Sequence, residues 1–132
     1  MIGSCNFASI KNHYMNTILW IFQGMLAAMF GTAGAMKSSQ PIEKLERAAP
    51  WARRFPEKAV SVIGMLEMFG ALGLIIPCAL NIVPSLTPLA ATGLAMIQLF
   101  AIYHHAKYRE VRAIAFNVLL LAAAIFIAFG RF

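Results

Sequence analysis

Polar positions thin out four times along this chain. Residues 17–36, 59–80, 88–105 and 113–130 are each an apolar stretch of about 20 residues, the length that crosses a hydrocarbon core about 30 Å thick at 1.5 Å per residue. The pattern predicts an all-α protein, an antiparallel four-helix transmembrane bundle with a short interfacial helix between helices 1 and 2. Thr87 as N-cap and Pro88 at the first helical position start the third span, and Pro56 followed by Glu57 starts the second. Pro41 opens the short helix, which runs through Ala49 with Glu43 placed to pair with Arg47. Trp51 and Phe55 flank Arg53 and Arg54 and read as an anchor at the headgroups. Residues 1–14 are polar and without pattern, an extension before a single membrane domain of residues 15–132, with Met15 a second candidate start. The first stretch exceeds a signal-peptide core and runs into Met36-Lys37, so it is expected to remain as a helix.

Composition excludes a soluble reading. Apolar residues are 61% of the chain and charged residues 12%, and the mean hydropathy is +0.73, against about 45–50% and 25% in soluble domains. The formal charge of +6 does not point to nucleic acid, because the basic residues flank the spans. Lys37, Lys44, Arg47, Arg53, Arg54 and Lys58 lie in the connection after the first span, and Lys107, Arg109 and Arg112 in the turn before the fourth. Lys11 and Arg131 are the remainder. Basic loops stay in the cytoplasm, so both termini are expected outside it. Cys5 and Cys78 form no C-x-x-C pair and read as small apolar fillers.

Small residues recur at helix-packing spacing: Gly24 and Ala28, then Ala27, Gly31 and Ala35, on the first span, and Gly64, Gly70 and Gly73 on the second. In lipid, close backbone approach supplies much of helix association, so these faces are expected to form the seam. Short connections make neighbours of helices two, three and four.

One carboxylate, Glu67, sits inside a span. Such a group is costly there and usually faces the bundle interior with a partner. Counting from Lys58, it lies roughly 13 Å in, while Gln98 lies roughly 10 Å from His105 and Asn117 roughly 8 Å from Arg112. Three polar side chains on three helices thus fall in one layer. Gln98 and His105, seven apart, share a face, near Ala91, Ala95 and Ala101. Lys37 ends the first span on the same side, with a stem able to reach inward or snorkel outward. The expected ligand or proton site is therefore Glu67, His105, Asn117, Gln98 and Lys37, in a pocket that opens toward the basic loops. The bland reading of Glu67 is a protonated acid in a structural hydrogen bond, and that of Gln98 and Asn117 is glue between helices. His104 and His105 diverge on a helix and have no second cluster, so neither a metal nor haem is expected, and no catalytic residue is assigned.

From Met15 to Phe132 the chain resembles the DoxX-like family of small four-helix membrane proteins. The resemblance rests on Phe30-Gly-Thr-Ala-Gly-Ala-Met-Lys37, on Gly64-Met-Leu-Glu67-Met-Phe-Gly70-Ala-Leu-Gly73-Leu-Ile-Ile-Pro77 and on Leu86-Thr-Pro88. It continues through the spacing His105-x4-Glu110, then Asn117, to Phe129-Gly-Arg-Phe132. The resemblance implies a bacterial cytoplasmic (inner) membrane and a link to quinone-linked sulfur oxidation or to quinone and thiol stress. With no thiol pair in this chain, exchange through its own cysteines does not carry over.

The leading expectation is a small membrane subunit of a redox process, with a quinone-like or other amphipathic ligand in the pocket around Glu67. It would be an accessory of a quinone-linked oxidoreductase rather than a complete enzyme. The alternatives are a non-enzymatic assembly factor or scaffold, and a small permease, which four short helices disfavour. Membrane lipids surround such a chain, and a quinone, another membrane or redox protein and a second copy are its candidate partners.

Overall fold

The computed structural model describes residues 10–132, with side chains from His13 onward. Among the described residues there is no strand: the chain runs through α1 (Ile10–Ser39), α2 (Ile42–Ala48), a 3-10 segment (Pro50–Arg54), α3 (Glu57–Leu80), α4 (Leu86–Lys107) and α5 (Val111–Arg131). α1, α3, α4 and α5 are long and apolar enough to cross a membrane. Their outward side chains remain apolar and open, with Phe69, Phe100, Leu119 and Phe129 each at least 70% exposed. A surface of this kind suits lipid, which solvates it as well as a protein core does.

α1 packs along α3, α3 against α4, and α4 against α5, while α5 closes more thinly on α1. Neighbours run in opposite directions, as the facing pairs Gly31 with Ala71 and Gly34 with Gly64 show for the first interface. The interior is filled by Leu26 and Phe30 from α1, Ala71 and Leu74 from α3, Ala91 and Leu94 from α4, and Ala124 and Ile127 from α5.

Glycine sets the closest of these approaches. A Cβ at Gly64 would fall 2.7 Å from the Gly34 carbonyl and 2.7 Å from the Lys37 Cβ, and one at Gly34 would strike Gly64 and Met68. Of the expected positions, Gly31 has ordinary contact with Ala71 at 3.7 Å, Gly70 and Gly73 approach Leu94 and Ala90 of α4, and Gly24 meets nothing within 4 Å. The α1–α3 seam therefore leaves out Gly24 and is closest at Gly34.

Several boundaries differ from expectation. α1 begins at Ile10, seven residues before the apolar stretch, because helix geometry continues past the hydrophobic pattern. α4 begins at Leu86, and Thr87 is no N-cap but a buried first-turn residue. The backbone bonds from Leu86 to Val83 and from Thr87 to Pro84 wind the chain before Pro88. α3 ends on Asn81 in the left-handed conformation, with the Ile82 amide donating back to the Pro77 carbonyl, a Schellman-type stop. Cys78 is buried near that end and is disulfide-bonded rather than a free filler thiol, while Cys5 lies outside the described residues.

The segment between α1 and α3 folds back as a strap over one end of the bundle. Leu45, Ala52 and Val60 form a second small core beneath it, with Met36, Trp51 and Phe55 packed alongside. Its internal ion pair joins Arg53 to Glu46, not Glu43 to Arg47. That pairing raises the Arg53 guanidinium above its ordinary range, and the hydrogen bond from Arg53 holds the Glu46 carboxyl below its own. The strap, Lys107 and Arg112 share the basic end; the Arg131 end lies opposite.

Gly64→Ala should force α1 from α3 and lower the unfolding temperature in detergent, at a cost of about 1–3 kcal/mol for overpacking. Gly93→Ala, where an added Cβ meets nothing within 4 Å, should leave it unchanged or raised. Equal responses would remove the seam from this position.

Candidate functional site, a polar cavity at the basic end

The close approach at Gly34 and Gly64 carries Lys37, one turn further along α1, over the carboxylate of α3. Lys37 Nζ donates to both Glu67 oxygens, each at 2.9 Å. Glu67 is only 3% exposed. The Lys37 stem thus turns inward and gives Glu67 a partner within the bundle. The same Nζ sits 5.2 Å from the centroid of the Trp51 ring, which adds a cation–π contact.

Across the bundle, Gln98 Nε2 donates to Asn117 Oδ1 at 2.8 Å, and Asn117 Nδ2 donates to the Ala113 carbonyl at 2.7 Å. Nearer the end of α4, His105 Nδ1 lies 2.9 Å from Glu110 Oε2, with His105 buried. Arg54 from the strap reaches the other Glu110 oxygen at 2.5 Å, lies over the Tyr108 ring at 3.9 Å and meets His104 Nε2 at 3.2 Å.

Lys37, Glu67, Gln98, His105 and Asn117 all line one cavity of about 1160 Å³. Glu67 has no recorded hydrogen bond to the Gln98–Asn117 pair, so the layer holds two polar pairs that face a common space. Met29, Phe30, Ile97 and Leu120 supply apolar wall, and Trp51 and Phe55 cover the basic end. A smaller cleft of about 480 Å³, lined by Ser38, Ser39, Lys58 and Ser61 among others, shares only Lys37 with it. Among the described residues no three His, Cys, Asp or Glu side chains converge as a metal set would. The cavity can hold a molecule larger than water, offer it donors and acceptors on two sides, and enclose it with aromatic faces.

The family model for DoxX-like proteins matches residues 21–127. This chain belongs to the DoxX-like family. No curated protein and no solved structure matches it. With its four apolar helices, this member of the family is a small multi-pass membrane protein.

Three features of this DoxX-like chain differ from the reading of its residues. Trp51 and Phe55, expected as a headgroup anchor, pack on the end of the bundle, Trp51 6.3 Å from the His105 ring and Phe55 4.8 Å from the His104 ring. The buried Leu45 and Ala52 beneath the strap hold them there. Arg54, read only as part of that anchor, reaches Glu110 on the far side of the α4–α5 turn. Arg131 is no exposed flanking charge. It is 1% exposed, donates to Gln23 Oε1 at 2.7 Å and Asn16 Oδ1 at 2.5 Å, and lies 5.4 Å from the Trp20 ring. Gln23 in turn donates to the Leu74 carbonyl. A lone glutamine inside the first apolar span was the available sign.

The two members of the ion pair should respond unequally to removal. Lys37→Met strands a carboxylate that is 4% exposed at its side chain and should cost about 3–5 kcal/mol, the range for breaking a buried pair. Glu67→Leu should cost less, because the released ammonium can snorkel to the aqueous end. The joint Lys37→Met/Glu67→Leu variant should recover most of the loss. Thermal unfolding in detergent measures all three, and strictly additive losses would show that the residues act independently.

The Arg54 latch should carry a pH dependence. The hydrogen bond from Arg54, and after it that from His105, holds the Glu110 carboxyl below its ordinary value of 4.5 despite partial burial. A depressed carboxylate stabilises the folded arrangement above its unfolded value and stops doing so as pH falls through the folded one. Trp51 fluorescence, read in a Trp20→Phe background, should therefore stay constant from pH 7 to about 4.5 and change below it. Glu110→Gln should loosen the strap already at pH 7 and abolish its share of the transition, leaving that of Glu46 within the strap. A change complete above pH 5 would place the control elsewhere.

Proposed function

We propose that this DoxX-like protein is a small integral membrane subunit of a redox process that binds a quinone-like or similar amphipathic ligand in the cavity around Glu67. The observation that carries the reading is the convergence of the Lys37–Glu67 and Gln98–Asn117 pairs with His105 on one cavity. Cavities that bind small molecules are mostly apolar, with a few placed polar groups that fix orientation. Here Lys37 can donate to a ligand carbonyl while Glu67 accepts from a ligand hydroxyl. Gln98 and Asn117 hold each other in register and leave further donor and acceptor capacity toward the ligand. His105, tied to Glu110, can share a proton at the basic end of the cavity. On this reading the chain holds the ligand, and the electron transfer belongs to a partner. The family resemblance favours a bacterial inner membrane, and the nine basic residues around the strap and the α4–α5 turn favour that end in the cytoplasm and both termini outside.

Gentle detergent extraction followed by mass spectrometry of the bound lipids tests this reading. A quinone should co-purify near one per chain, and the joint Lys37→Met/Glu67→Leu variant should lose it while remaining folded. A stoichiometric protein partner with no quinone would move the chain to the assembly-factor reading.

A further inference from the structure

We infer that the ligand is a single-tailed membrane amphiphile that reaches the cavity sideways, between α1 and α5, leaving its tail in the hydrocarbon and placing a flat neutral head against the polar pairs. This rests on the proposed ligand site and specifies what fills it.

The first observation is where α1 and α5 hold together. Their side-chain ties lie at the Arg131 end: Arg131 with Gln23 and Asn16, Phe22 edge-on to Phe126 at 5.1 Å, and Gly130 against Leu19. Toward the basic end the same two helices border the cavity instead, with Thr32 on one side and Phe116 on the other. Both residues are exposed, as are Leu66 and Phe100 where α3 and α4 border the same cavity, but α1 and α5 make the thinner helix contact. Thr32 is five residues from Lys37 and Phe116 four from Arg112, roughly 6–8 Å below the basic end along their helices. At that depth an opening between α1 and α5 would face hydrocarbon rather than water.

The second observation is that the aqueous end is covered. Trp51 and Phe55 lie across it, and the Arg54–Glu110 pair ties their segment to the start of α5. A ligand dissolved in the membrane meets a side opening, whereas one dissolved in water meets an aromatic lid.

Polarity and charge then select the head. Lys37 faces Glu67 and Arg54 faces Glu110, so the formal charges around the chamber cancel in pairs. Such a chamber offers hydrogen bonds and aromatic faces but no net charge, which suits a neutral ring bearing oxygen atoms and disfavours a phosphate. The volume of about 1160 Å³ exceeds the roughly 300–1,000 Å³ typical of small-molecule sites, leaving apolar room beside Met29 and Leu120 for the start of a tail.

Two probes separate this inference from the site itself: a tail-less dimethoxy-methyl benzoquinone and the same ring with a decyl tail, titrated calorimetrically into the full chain in lipid nanodiscs. The wild type should bind the decyl probe at least about tenfold more tightly, because methylenes are buried along the cleft. Thr32→Trp, at the edge of the opening, should weaken the decyl probe about tenfold and leave the tail-less ring within about twofold. Phe116→Ala, which widens the same edge, should speed association of the decyl probe severalfold, and it serves where Thr32→Trp fails to fold. Equal effects on both probes, or no effect on the decyl probe, would overturn lateral access while leaving the ligand site in place. Failure of the wild type to bind either ring would remove the proposed function and this inference together. A two-tailed phospholipid held one to one and not displaced by the decyl probe would also overturn the inference.

Discussion

Gly34 and Gly64 bring the backbones of α1 and α3 so near that no Cβ fits between them, and the rest of the site depends on that contact. One turn beyond it, Lys37 has only to cross a short gap to reach Glu67 with both of its carboxylate oxygens in range. At a wider helix separation the lysine would turn to the aqueous end and the carboxylate would stand alone in hydrocarbon, a costly arrangement. The close packing and the ion pair therefore support each other: the first positions the charges, and the second makes an acid tolerable at that depth.

The bundle is built differently at its two ends. At one, Arg131, Gln23 and Asn16 tie α5 to α1, with Gln23 also bound to the Leu74 carbonyl of α3, so three helices share one buried polar cluster. At the other, α3 and α4 no longer meet through Gly70 with Leu94 and Gly73 with Ala90, and the helices border a cavity instead. Buried polar groups act as fasteners where their partners are complete, and they become a binding surface where capacity is left over. The same kinds of residue serve both purposes, and the space around them makes the difference.

The strap joins these features to the aqueous side. Its small core of Leu45, Ala52 and Val60 presses Trp51 and Phe55 over the cavity, while Arg54 bridges to Glu110 and so to His105. Its position on the bundle follows from one apolar cluster and one charged latch.

The four spans, the helical class and the acid within the second span were legible in the sequence, because a bilayer demands long uninterrupted apolar helices and penalises every exception. Depth was legible as well, since a fixed rise per residue puts Glu67, Gln98 and Asn117 at similar distances from the basic end. Rotation about each helix axis was not, because apolar residues surround these helices on all sides and no amphipathic stripe marks an inner face. Only the packed structure decided that Gly34 rather than Gly24 makes the seam, that Lys37 turns inward, that Gln98 chooses Asn117, and that Trp51 lines the cavity. Arg131 makes the same point most sharply. It reads in the sequence as one more basic residue flanking a span, and its burial follows from Gln23 and Asn16 on a helix more than a hundred residues away.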